Sequence, residues 1–239
     1  MLLGDRESVL LRVEGLDVAY GQAKALHEVS IELNQGEMVF VVGRNGAGKT
    51  TLLKTIAGLM KPSAGSILFM GADIGDLPPE KVAQRGIAYV AQDKRVFSQL
   101  TVRDNIELAA FAAGVDLQEA LDKTVAAYPE FKTRMNVKAG SLSGGQREIL
   151  LIARALFISR RLLMIDEPTE GLASIVIKEI FRILVETKQQ KRSAIIVEQN
   201  LGIVKALADR IYVMKEGRVI KVISDPSDST QTADLENLL

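Results

Sequence analysis

Gly43-Arg44-Asn45-Gly46-Ala47-Gly48-Lys49-Thr50 decides how this chain folds. It is a complete G-x-x-x-x-G-K-[ST] loop, the pattern whose backbone N–H groups cradle nucleotide phosphates. Glycines 43, 46 and 48 let those N–H groups reach phosphate without a side chain in the way. Just before the loop, Met38–Val42 is a short continuous apolar run, as in a strand buried on both faces. Just after it, Thr51–Ala57 opens a helix whose positive end faces the same anion. A chance glycine-rich turn lacks that flanking strand and helix. Lys49 is placed to reach the β- and γ-phosphates, and Thr50 to hold Mg²⁺ through its hydroxyl. Arg44, Asn45, Ala47 and Thr51 complete the nucleotide-binding set of this segment.

Two further segments follow in order. Leu142-Ser143-Gly144-Gly145-Gln146 precedes an apolar helical stretch. A hydroxyl and two glycine N–H groups at a helix start make an anion site, although the chain already has a phosphate loop for its own nucleotide. Then Leu162-Leu163-Met164-Ile165 leads into Asp166-Glu167-Pro168. A carboxylate at the end of an apolar strand emerges at the sheet's carboxyl edge, where ligands bind in open α/β sheets. Asp166 is therefore expected to support Mg²⁺, through water.

Composition narrows the function classes. The chain has 239 residues, 47% of them apolar, enough for one large α/β domain with a substantial core. Thirty basic residues balance thirty acidic ones, so no net charge draws it to nucleic acid or anionic lipid. The densest basic cluster, Lys188 to Arg192, holds two glutamines and reads as a solvated helix end. With no cysteine and only His27, disulfides, thiol chemistry and a histidine-rich metal site are excluded. No apolar run approaches the ~20 residues of a transmembrane helix. The opening Met-Leu-Leu-Gly-Asp-Arg-Glu is not a signal peptide. A soluble protein is expected, and any transport role requires a separate membrane partner.

Along the chain, Leu10–Val18 and Ala25–Leu33 alternate as half-buried strands, with further strands at Ser66–Met70 and Ile87–Ala91. From about 100 to 158 the apolar period turns helical. Val102, Ile106, Leu108 and Ala109 suit one helix face; Leu117, Leu121, Val125 and Tyr128 suit a second. A third carries Ile149, Leu150, Ile152, Ala153, Leu156 and Phe157. This block reads as a helical subdomain inserted in a sheet domain. Strands Leu162–Ile165 and Ala194–Val197 and helices Ile175–Glu186 and Leu201–Ala208 then restore βα alternation. Lys-Glu-Gly-Arg between Ile211–Met214 and Val219–Val222 signals a hairpin, and the polar tail from Ser224 reads as peripheral. The fold class is α/β.

Phosphate loop, LSGGQ and apolar strand ending in Asp-Glu, in that order, resemble the ATP-binding cassette of ABC transporters over nearly the whole chain. The resemblance implies a RecA-like P-loop NTPase core with an antiparallel β subdomain and the inserted α-helical subdomain, residues 1–239 forming one ATPase domain. It implies ATP and Mg²⁺ as ligands, and Glu167 as the general base that polarises the attacking water. Gln92 matches the glutamine that senses Mg²⁺ and the γ-phosphate, and Tyr20 the aromatic that stacks on adenine. Ser143, Gly144, Gly145 and Gln146 would close over ATP held by a second cassette, in a head-to-tail dimer with nucleotide at the interface. The chain would lie peripherally on the cytoplasmic side of the membrane.

Two departures narrow the resemblance. Gln199, in Ile195-Ile196-Val197-Glu198-Gln199-Asn200, stands where the family usually has a switch histidine. Glutamine can hydrogen-bond a γ-phosphate but cannot carry a proton. Ala173 stands where the family usually has an aspartate, after Gly171-Leu172. These features, with Arg95-Val96-Phe97, Leu100-Thr101-Val102 and Ala25-Leu26-His27-Glu28-Val29-Ser30, are similar to an ATP-binding subunit of branched-chain amino-acid importers. There, two different cassettes pair beneath two permease subunits, and a binding protein delivers the solute. Asp93–Arg103 would then border the groove that receives a permease helix. Urea and amide importers, other importers or exporters, and soluble regulatory ATPases are the alternatives. Neither the solute nor homodimer against heterodimer follows from the sequence.

Overall fold

The computed structural model describes residues 9–93, 95–228, 232 and 235–238. The opening segment that argued against a signal peptide lies outside the described residues. Strands β1 (Val9–Tyr20), β2 (Ala23–Asn34), β4 (Ala64–Phe69) and β5 (Ala72–Asp73) form an antiparallel sheet in the order β2-β1-β4-β5. A second, six-stranded sheet contains β3 (Met38–Val42), β6 (Ile87–Val90), β7 (Leu162–Asp166), β8 (Ser193–Val197), β9 (Arg210–Lys215) and β10 (Arg218–Ile223), ordered β10-β9-β3-β8-β7-β6. Its strands are parallel except β10, which returns antiparallel to β9. The β9–β10 turn has two left-handed residues, Glu216 (φ 48°) and Gly217 (φ 73°), which match the right-handed twist of a tight hairpin.

β3, β7 and β8 are buried along their whole length. Side chains of a strand alternate between faces, so each of these strands feeds two cores. Met38, Phe40, Val42, Leu163, Ile165, Ala194 and Ile196 join the core shared with the helices of residues 102–207. Val39, Val41, Leu162, Met164, Ile195 and Val197 join the core shared with the antiparallel sheet and with α1 (Lys49–Ile56). That two-sided burial is why these segments read as unbroken apolar runs rather than alternating ones.

α2 (Pro79–Gln84) precedes β6. Between the neighbouring strands β6 and β7 the chain makes α3 (Val102–Ala113), α4 (Leu117–Ala127), α5 (Phe131–Arg134) and α6 (Gly144–Ile158). Their ends are fixed locally. Thr101 and Asp104 form a capping box on α3, Gly114 ends it in a left-handed conformation, and Asp116 caps α4. Asn105, fully buried, accepts from Phe97 N and donates to Phe97 O and Thr101 O, tying the preceding loop onto α3. α7 (Ser174–Gln189), α8 (Leu201–Leu207) and α9 (Leu235–Leu238) complete the elements.

Two expectations change. Val102, Ile106, Ala109 and Ala110 form the buried face of α3, but Leu108 lies off that stripe and is 43% exposed. The tail from Ser224 is not merely peripheral. Leu235 is fully buried in the helical-side core, and Glu236 pairs with Lys205 of α8 at 3.3 Å. Among the described residues, no helix is long and apolar enough to cross a membrane.

Candidate nucleotide site

The loop between β3 and α1 opens at the carboxyl end of the six-stranded sheet. Its tightest point is Gly43, where a Cβ would lie 2.3 Å from the Met214 carbonyl oxygen, so any larger residue would push β9 away. Lys49 is buried and turns back over the loop. Its Nζ donates to Gly43 O (2.7 Å) and Arg44 O (3.1 Å) and pairs with Glu167 Oε1 at 3.2 Å. Lys49 is thus stretched across the floor where a phosphate would sit.

Asp166 ends β7 and is almost fully buried. Its two carboxylate oxygens accept from Thr50 Oγ1 and Tyr89 OH, each at 3.2 Å. Burial raises its pKa, while those two hydrogen bonds oppose the rise. Burial and the Asp166 carboxylate together push the Tyr89 phenol well above its usual range, so it stays a donor. Glu167 has a left-handed backbone (φ 51°), unusual for a non-glycine residue. Such geometry survives where surrounding bonds hold it, and Glu167 N donates to Val197 O at 2.9 Å. Its Oε1 also accepts from Gln199 Nε2 (2.9 Å) and its Oε2 from Gln92 Nε2 (3.1 Å). Burial works to raise the Glu167 carboxyl, but hydrogen bonding with Gln199 and Glu170 and the charge of Lys49 outweigh it, so its pKa is lowered.

Gln199 also donates to Asn45 Oδ1 (2.8 Å), linking the β8 loop to the phosphate loop. Behind it, buried Glu198 accepts from the Thr169 hydroxyl and from Gln199 N (2.5 Å) and Asn200 N (3.0 Å). One carboxylate therefore fastens the loop of Glu167 to that of Gln199.

A cavity of about 610 Å³ runs from Tyr20 across the phosphate loop to Gln92 and Glu167. Tyr20 is half exposed at one end, its hydroxyl 3.5 Å from Thr51 Oγ1. Tyr20, Asn45 to Thr51, Gln92 and Glu167 line this one cleft; Asp166, Gln199, Gly43 and Arg44 stand behind it, each bonded to a lining residue. The structure does not bring Ser143 to Gln146 there; none of the four lines the cavity. Ser143 caps α6 through Gln146 N, and the Gln146 side chain returns to Ser143 N. Gly144 faces open space, whereas a Cβ on Gly145 would lie 2.6 Å from Val176 of α7. The sequence reading missed Tyr89 and Glu170, and also Lys24 and the Glu216–Gly217 turn, which line the cavity. For Mg²⁺, the side chains at hand are the Thr50 hydroxyl, the Asp166 carboxylate and the Gln92 amide. All offer oxygen, which suits a hard cation that fills its other positions with water and phosphate.

A phosphate loop at the carboxyl end of a parallel sheet, with Asp166 and Glu167 at the end of β7, one strand removed across β8, defines a P-loop ATPase. The ABC transporter family matches residues 26–170, and this chain belongs to that family as an ATP-binding cassette. It is 39% identical over 212 residues to the high-affinity branched-chain amino acid transport ATP-binding protein BraG of Pseudomonas aeruginosa, covering 88% of this chain and 91% of that protein. It is 31% identical over 229 residues to the lipopolysaccharide export system ATP-binding protein LptB of Acidithiobacillus ferridurans, covering 92% and 94%. Among solved structures, the ADP conformation of MJ1267, an ATP-binding cassette of an ABC transporter, superposes with a TM-score of 0.81 at 28% identity, covering 96% of each chain.

Proposed function

We propose that residues 1–239 work as one cassette that hydrolyses ATP to drive import of branched-chain amino acids through separate permease subunits. The observation that carries the hydrolysis is the position of Glu167. It is buried, held by Lys49, Gln92 and Gln199, and sits at the mouth of the phosphate loop.

Among the described residues, the carboxylate that forms an ion pair with Lys49 is Glu167. An entering γ-phosphate supplies a better partner, because Lys49 belongs to the loop that cradles it. The ion pair then opens, and Glu167 loses one of the influences that lower its pKa. The carboxylate becomes more basic when a substrate is present, as a general base requires. Gln199, fixed between Asn45 and Glu167, orients the water and donates to the γ-phosphate but moves no proton. Bound Mg²⁺ would neutralise charge on the β- and γ-oxygens, held by Thr50, Gln92 and, through water, Asp166. Tyr20 supplies an adenine platform at the far end.

Ser143, Gly144, Gly145 and Gln146 lie outside the chain's own cleft, as expected if they close over nucleotide on a second cassette. The dimer is then head to tail, and a different cassette as partner follows the importer pattern. Residues Asp93–Arg103 supply the permease-facing border, where Phe97 is exposed and Arg154 lies 5.9 Å from its ring. The chain works on the cytoplasmic face of the membrane, below two permeases and, indirectly, a solute-binding protein. Likeness to BraG supports the amino-acid solute; likeness to LptB keeps an exporter as the second reading. Gentle detergent extraction, pull-down and mass spectrometry test this. Two polytopic permeases with a different cassette, and uptake of labelled leucine rather than urea, are the expected result. Recovery of this chain alone, or of soluble partners, would discard the importer.

A further inference from the structure

Gln92 Nε2 donates to two carboxylates, Glu170 Oε2 at 2.8 Å and Glu167 Oε2 at 3.1 Å, and the bond to Glu170 is the shorter. Both contacts run from Nε2 to carboxylate oxygens, so the pair fixes which end of the amide is the NH₂ group. The Oε1 end is thereby left as the acceptor. A glutamine with one carboxylate neighbour could release it and rotate. With two, rotation would set the amide oxygen against two anions.

Glu170 is exposed, and its backbone N–H donates to Glu167 O at 3.3 Å, so it rides on the same turn as the general base. It does not line the cavity, and Gln92 does. Beside its side-chain hydrogen bonding with Glu167, Glu170 reaches the cavity through Gln92.

We infer that Glu170 is a positioning residue for the metal: by holding the Gln92 amide N–H groups, it presents Gln92 Oε1 as an oxygen ligand to Mg²⁺. This rests on the reading of Gln92 as a Mg²⁺ ligand. Hydrogen-bond partners that orient a ligand commonly govern metal affinity as strongly as some ligands do. Glu170 keeps its hold when phosphate draws Lys49 away from Glu167, because its bond to Gln92 involves neither Lys49 nor Gln199.

The test is Mn²⁺ binding, followed by electron paramagnetic resonance, to the full chain saturated with a non-hydrolysable ATP analogue. Glu170→Ala is expected to weaken Mn²⁺ binding roughly tenfold while leaving analogue binding in excess EDTA unchanged. Glu170→Gln keeps an acceptor in place and is expected to recover most of that affinity. Wild-type Mn²⁺ affinity in Glu170→Ala overturns the inference. So does equal loss in both variants, which would make charge rather than the hydrogen bond the cause. Gln92→Ala separates the underlying reading: if it binds Mn²⁺ like wild type, Gln92 is no ligand. If it binds weakly while Glu170→Ala binds normally, only the positioning role fails.

Discussion

At the scale of single residues, Asp166 and Glu167 are adjacent carboxylates with opposite tendencies. Asp166 is held above its usual pKa by burial, so its charge opposes folding above that folded-state pKa, and the penalty eases as pH falls through it. Glu167 is held low by its partners in spite of burial. Its contribution is present above the unfolded-state pKa and lost as pH falls through the folded one. Asp166→Asn removes the buried charge and keeps one acceptor oxygen, for Thr50 or Tyr89, while its new NH₂ group donates to the other hydroxyl. It should raise the melting temperature of the nucleotide-free protein by about 2–4 °C while abolishing Mg²⁺-dependent hydrolysis, checked by calorimetry and phosphate release. Glu167→Gln should bind ATP and lose about 10²–10⁴-fold in turnover; wild-type hydrolysis would remove Glu167 from the role of base. Lys49, Asp166 and Glu167 were legible in the sequence because short motifs on a strand end carry their own geometry. Tyr89 and Glu170 were not. Their bonds reach 77 and 78 residues along the chain and exist only because β6 lies beside β7.

At the scale of elements, the contact between α6 and α7 is the tightest test. Gly145 sits where a methyl group would meet Val176 at 2.6 Å, and valine has little freedom to turn away. Gly145→Ala should cost about 1–3 kcal/mol in urea unfolding, and adding Val176→Ala should return part of it. Additive losses would show that the two helices do not press on each other there. In the sequence, the glycine looked like an aid to phosphate approach; its packing duty is set by α7, which arrives later in the chain. Strand and helix identities were readable because core-facing strands are continuous apolar runs and the inserted helices keep a 3.6 period. α2 escaped notice because six residues carry too little periodicity. Leu108 was misplaced because three good positions on α3 invited a fourth.

At the scale of the whole molecule, the order of motifs announced one cassette. What it did not show was how the last described turn closes over the core. Leu235→Ala should destabilise by about 2–5 kcal/mol, measured by urea unfolding; a loss near zero would mean that α9 is loosely applied. The tail read as peripheral because its polar residues dominate locally, and one buried leucine leaves no periodic trace. The Lys49–Glu167 pair has a consequence for how the cassette handles its fuel. On the proposed reading, Glu167 is a competitor tethered beside the seat of the γ-phosphate, its effective concentration set by the fold. ATP enters by displacing it. On that reading, as phosphate departs the same carboxylate is at hand to reclaim Lys49, so the cleft carries its own eviction agent.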